Sequence, residues 1–121
     1  MFLIDFYQIN DKTQSDSGTS FHLKLNPNHF IYKGHFPMQP VLPGVCTLQI
    51  IKECAQQLVN MHLRYKQIIL CKFLRFVDPV KDSEITLTIA LNEKDADTYQ
   101  LTANGMCGDA YLIKLKAIMK T

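Results

Sequence analysis

The segment from Pro43 to Tyr65, PGVCTLQIIKECAQQLVNMHLRY, constrains the fold of this chain more than any other. Its apolar residues Val45, Leu48, Ile50, Ile51, Cys54, Ala55, Leu58, Val59 and Met61 recur at helical spacing and cover more than one face. Pro43 suits the first position of a helix, where its missing N–H would have had no intrahelical partner. A helix that is apolar nearly all round has to be enclosed by something else. No second segment has this character, so the rest of the chain must supply the enclosing layer.

What remains reads mostly as strands. Phe2 to Ile9 is rich in aromatic and β-branched residues, and Asn10 to Gly18 (NDKTQSDSG) reads as a polar turn or loop. In SFHLKLN, Phe21, Leu23 and Leu25 alternate with polar neighbours, the period of a half-buried strand. After the helix come QIILCKFLRFV, EITLTIALNE, TYQLTANGM and AYLIKLKAIMK, with NEKDAD as a hairpin link. Asn104-Gly105 and Gly108-Asp109 are turn signals, and the first also suits a bulge. The expected fold class is α+β: an antiparallel sheet of about six strands wrapped around one long buried helix. Periodicity alone also permits another α+β sandwich. At 121 residues and 47% hydrophobic content, residues 1–121 are expected to form a single domain with one core.

Composition narrows the function classes. The formal net charge is +2 and no Lys/Arg run is present, which argues against nucleic acid as a partner. The lysines at 33, 66, 72, 81, 114, 116 and 120, with Arg75, read as a solvated face, from which a few could grip an acidic partner. Cys46, Cys54, Cys71 and Cys107 form no CxxC pair and no zinc-like spacing, so reduced thiols and no metal are expected. The opening MFLIDFYQIN is interrupted by Asp5 and has neither the length of a span nor a basic leader. The expectation is a cytoplasmic protein that makes no membrane contact. No Gly-rich phosphate loop points to a nucleotide cofactor.

Residues 27–43 carry Pro27, Pro37, Pro40 and Pro43, which exclude a long helix or a central strand. An irregular stretch this long in so small a chain is usually functional. Within it stand Gly34-His35-Phe36-Pro37 and, in unbroken spacing, Pro40-Val41-Leu42-Pro43-Gly44-Val45. These residues resemble the motif G-H-F-P-G-x-P-V-x-P-G-V of the 3-hydroxyacyl-acyl carrier protein dehydratases of the hydroxymyristoyl type. KFLRFVDPVKDSEI is similar to that family's strand and turn after the helix. The resemblance implies a hot-dog fold and a homodimer or higher homo-oligomer. It implies an acyl thioester bound in a tunnel at the dimer interface. It also implies acyl carrier protein or acyl-CoA as partner, and no cofactor beyond the phosphopantetheine that carries the substrate.

Dehydration of a 3-hydroxyacyl thioester needs a base for the α-proton, an acid for the departing hydroxyl, and a donor for the charge that builds on the carbonyl. Histidine suits the first role and an amide at a helix N-terminus the third. By resemblance His35 is the base and the Gly44 amide the oxyanion donor, while Phe36, Met38, Pro43, Val45 and Cys46 line the substrate tunnel. The family places Glu or Asp, supplied by the second subunit's helix, where this chain has Gln49. An amide cannot hand over a proton, and losing a general acid typically costs about 10²–10⁴ in rate. Glu53 lies one turn further on, about 6 Å along the axis. It either reaches the same tunnel or is a carboxylate with a structural partner. Met38 stands in place of the family's glycine. His22, His62 and His29 read as structural or exposed, with lining the approach a second reading for His29; Cys46 is also a candidate nucleophile at a helix start. The expected function is that of a 3-hydroxyacyl-acyl carrier protein dehydratase-like protein of fatty-acid or related acyl-chain biosynthesis, a hydro-lyase impaired by Gln49. An acyl thioesterase and a non-catalytic acyl-binding subunit paired with an active paralogue stay open beside it.

Overall fold

The computed structural model describes residues 5–34 and 40–121. Strands β1 (Tyr7–Ser15), β2 (Gly18–Leu25), β3 (Arg64–Phe73), β4 (Glu84–Asp95), β5 (Thr98–Cys107) and β6 (Ala110–Lys120) form one antiparallel sheet in the order β1-β2-β4-β5-β6-β3. Successive strand residues point to opposite faces, so period-2 alternation gathers the apolar ones on one side. Phe21, Leu23 and Leu25 of β2, Ile85, Leu87 and Ile89 of β4, and Leu101 and Ala103 of β5 are all buried there. Helix α2 (Gly44–Val59) packs on β4 and β3 and drives Ile50, Ile51, Cys54 and Ala55 into this face. Each large aliphatic side chain so enclosed contributes about 1.5–3 kcal/mol. Among the described residues no helix is long and apolar enough to cross a membrane.

Several sequence expectations need correction. The helix stops at Val59, not Tyr65: Asn60 takes a left-handed conformation (φ 53°), and the Gln56 side chain accepts the Leu63 N–H at 2.9 Å. That exit turns the chain into β3, so Arg64 and Tyr65 belong to a strand. Nor is α2 buried all round. Cys46, Thr47, Ile50, Ile51, Cys54 and Ala55 form its buried stripe, whereas Val45 is 69% exposed and Leu48, Leu58 and Val59 are only partly covered. The sheet covers one side of the helix, and among the described residues the side that bears Val45 and Leu48 is left at least partly open. A second, one-turn helix, α1 (Ile31–Gly34), interrupts the proline-containing stretch, because its four residues fall between Pro27 and Pro37.

The first strand is also displaced. After an irregularity at Asn10, Asp11 to Ser15 pair with β2 (Lys12 opposite Phe21, Ser15 opposite Gly18) where the polar composition suggested a loop. They are polar because β1 is an exposed edge. Of the expected first strand, residues 2–4 lie outside the described residues. The last three strands fall close to where expected, except that Asn92 to Asp95 of the expected NEKDAD link continue β4, which leaves Ala96-Asp97 as the turn. The Asn104-Gly105 signal marks a register shift between Gly105 and Met106, and Gly108 turns the chain at φ +60°.

Gly18 closes the β1–β2 hairpin at φ +128°, and a Cβ there would run into the Ile89 carbonyl on β4. Gly108 has open space around it. In urea or thermal denaturation Gly18→Ala is therefore expected to lower stability by about 3 kcal/mol and Gly108→Ala by about 1 kcal/mol. Equal losses would contradict the steric account.

Candidate acyl-binding site

The start of α2 is clasped to the segment that follows β3. The Leu42 N–H donates to the Val77 carbonyl at 2.9 Å, and the Leu74 N–H to the Leu112 carbonyl at 2.9 Å. Between these clasps lies a groove of about 680 Å³, lined by Val41, Leu42, Pro43, Gly44, Val45 and Thr47 on one side and Phe73 to Val77 and Leu112 on the other. Its walls are mostly apolar and its volume suits a small-molecule ligand.

Gly44 sits where the Phe73 ring crosses the helix start: a Cβ there would stand 2.8 Å from the ring. The absent side chain therefore admits the ring that forms one wall. Pro43 offers its carbonyl to the Cys46 and Thr47 amides at 3.0 and 3.2 Å. The Gly44 and Val45 amides precede these first intrahelical bonds, and no acidic residue occupies the first turn. The groove thus runs along the positive end of the helix dipole.

Pro43, Gly44 and Val45 line this groove. Cys46 faces the core instead, and burial pushes its thiol pKa up, which removes the thiolate that a nucleophile needs. His35, Phe36 and Met38 lie outside the described residues. Gln49 and Glu53 share one side of α2 but do not line the groove. The Gln49 Nε2 amide donates to Glu53 Oε2 at 2.9 Å, and the Tyr7 hydroxyl donates to Glu53 Oε1 at 2.8 Å. Burial, with Cys54 and Glu53 adding to it, drives the Tyr7 pKa well above the usual phenol range. Beside them the Lys12 ammonium donates to Gln57 Oε1 at 3.1 Å. Glu53 is therefore a carboxylate tied to β1 and to its own helix.

Sequence reasoning missed Tyr7, because nothing local links residue 7 to residue 53. It missed Tyr65, whose hydroxyl donates to the Leu48 carbonyl at 2.7 Å, by placing it inside the helix. Phe73 and Phe76 had a signal, since KFLRFV holds more apolar residues than one strand face can bury. His22 and His29 have structural partners. His22 bonds Thr86 at 3.1 Å, and buried His29 accepts the Ile31 N–H at 3.2 Å and packs edge-on against Phe6. His62 is exposed. Among the described residues no group of three or more His, Cys, Asp or Glu is placed to hold a metal.

Burial pushes the Cys54 thiol up to about 12 from its ordinary 9.0, with Glu53 adding to the shift. The folded pKa exceeds the unfolded one, so the stability from keeping this thiol neutral is complete below pH 9 and declines as pH rises toward 12. Thermal midpoints are expected to fall in that window. At pH 8 a thiol-exchange reagent should label half-buried Cys71 and Cys107 first, and Cys46 and Cys54 only at the rate of unfolding. Rapid labelling of all four would refute the burial argument.

Comparison with known proteins places this geometry. No curated protein matches the sequence significantly. The chain is similar in structure to the dehydratase heterocomplex ApeI:P from Xenorhabdus doucetiae, with TM-score 0.78 and 25% identity over 94% of this chain and 97% of that one. It is also similar to a thioesterase from Pseudomonas aeruginosa (TM-score 0.61, 10% identity, 90% and 78% covered) and to a Bacillus halodurans protein determined with CoA (TM-score 0.61, 7% identity, 91% and 72% covered). At such identities the last two show the hot-dog fold alone. A family model described as ApeI-like, ApeI dehydratase, matches residues 10–109, which take in α2, nearly the whole groove and the Gln49–Glu53 pair. The chain belongs to the ApeI-like dehydratase family.

Proposed function

We propose that this chain is a dehydratase-type subunit that binds a 3-hydroxyacyl thioester, presented on the phosphopantetheine arm of acyl carrier protein, in the groove between the start of α2 and residues 73–77. The groove carries this reading: apolar walls suited to an acyl chain end at the polarised N-terminus of a helix. A thioester carbonyl placed there gains negative charge as the α-proton leaves, and the Gly44 amide is the donor that meets it. His35 takes that proton. The C3–oxygen bond then breaks, and the departing hydroxyl needs a proton to leave as water. Phe36 and Met38 are substrate-contacting residues in this reading, and Pro43 and Val45 form the wall. No metal or nucleotide enters this chemistry.

The missing part is the acid. Gln49 cannot protonate a hydroxyl, and Glu53 is bonded to Tyr7 and Gln49 away from the groove. In this reading a second chain brings its own helix carboxylate to the open side of the groove, as a heterocomplex would allow. The same lack of an acid leaves the chain a weak catalyst by itself.

Mass spectrometry of a 3-hydroxyacyl-acyl carrier protein incubated with the wild type, Gln49→Glu and Gln49→Glu/His35→Ala tests it. The wild type is expected to remove water slowly, Gln49→Glu about 10²–10⁴ faster, and the double variant not above background. Release of free acid and free thiol would make the protein a thioesterase. Unchanged substrate in every sample would sink the dehydratase reading.

A further inference from the structure

The side chains along the groove are apolar with two exceptions. Among the described residues that line it, only Thr47 and Arg75 carry polar side chains. Arg75 is partly exposed and paired with Asp82 at 3.4 Å. Thr47 is only 2% exposed, yet among the described residues its hydroxyl makes no hydrogen bond. It is not sealed in the way that the Tyr32 hydroxyl is, which is buried, closed to solvent and without a partner among the described residues. What little of Thr47 stays open therefore includes its hydroxyl, and the space it opens into is the groove.

Packing does not call for this hydroxyl. Valine has the same shape and no polar atom, and a buried hydroxyl left without a partner costs about 1–3 kcal/mol. Buried polar groups are as a rule hydrogen-bonded, so an unmet one points to a partner from outside the fold. The position of Thr47 says what that partner is. It follows Gly44 by three residues, which puts it on the same face of α2 and about 4.5 Å further along the axis. Helical side chains lean toward the N-terminus, so Thr47 leans back toward the Gly44 amide. Two donors less than one turn apart thus serve one groove. A 3-hydroxyacyl thioester carries two oxygens to match them, on carbons that a single methylene separates.

We propose that the Thr47 hydroxyl binds the 3-oxygen of the substrate while the Gly44 amide binds its thioester carbonyl. The hydroxyl donates to the 3-oxygen and keeps its own proton, so Thr47 does not replace the missing acid. It fixes the C3–oxygen bond and, with Gly44, holds the intervening methylene, whose proton is the one to leave, between two points. Thr47 therefore selects acyl chains that bear oxygen at C3. The proposal rests on the reading of the groove as an acyl site and names the feature of the chain that the site selects. Its test reads binding of two ligands that differ in that oxygen alone, so the two readings can fail separately.

The probes are a 3-hydroxyacyl pantetheine amide and the 3-deoxy amide of the same chain length. An amide replaces the thioester because its α-proton is too weakly acidic for elimination. Titration calorimetry compares the two on the wild type, Thr47→Val and Thr47→Ser. The wild type and Thr47→Ser are expected to prefer the hydroxylated ligand by on the order of tenfold, and Thr47→Val to bind both alike. The urea midpoint of Thr47→Val is expected to equal or exceed that of the wild type, since no bond within the fold is lost. Equal binding of the two ligands by the wild type, or a preference that survives in Thr47→Val, overturns the proposal and leaves the groove reading standing. Binding of neither ligand overturns both. A lowered urea midpoint in Thr47→Val, or its failure to fold, shows that the hydroxyl already has a partner within the fold and overturns the proposal.

Discussion

The burial of one stripe of α2 against the sheet is the interaction on which the rest depends. Ile50, Ile51, Cys54 and Ala55 are closed to solvent among side chains that include Phe21, Leu87, Ile89 and Leu101. Apolar burial has no direction of its own, so other bonds fix where the helix begins, ends and points. Pro43 receives the first amides, Tyr65 reaches the Leu48 carbonyl, and Gln56 holds the turn into β3. Once the stripe is seated, the described residues leave the opposite side of α2 only partly covered and the outer edge of β3 open. The open groove and the apolar edge are two consequences of that one-sided packing.

The two ends of α2 are chemically distinct. At its start, the groove meets a helix N-terminus with no acid in its first turn, and the fit of Phe73 against Gly44 shapes the wall. Further along, Gln49, Glu53 and Tyr7 form a polar network that faces β1. Exchanging the positions of acid and amide on one helix face changes what the site can do. A carboxylate that accepts two hydrogen bonds within its own chain is committed to structure, while an amide in the acid position binds without donating a proton. Under the proposed function, the acid for elimination comes from outside this chain.

The likeness to the ApeI-like family and the hot-dog fold make sense of a motif that was legible at once. Gly34 to Val45 carries its residues in unbroken spacing, and its helix-opening part lines the groove. The alternation of Ile85, Leu87 and Ile89, or of Tyr99, Leu101 and Ala103, was legible because a strand's period is written in consecutive residues. Asn10 to Ser15 misled, since an exposed edge strand and a loop select the same polar residues. The stretch from Asn60 to Tyr65 misled too, because its apolar residues continue the helical period past a cap that only Asn60 and Gln56 signal.

By itself the sequence determined the local matters: the start of α2 at Pro43, the faces of the inner strands, the glycine at the helix mouth, and the absence of an acid at position 49. The tertiary structure alone decided which side of α2 is covered, that Tyr7 and not the groove holds Glu53, and that Gly44 makes room for Phe73. Periodicity and capping act between near neighbours and leave a mark in the sequence. Tyr7 and Glu53 are 46 residues apart, and Gly44 and Phe73 meet only after α2 has given way to β3. Such contacts are set by the order in which strands join the sheet, which no local pattern records.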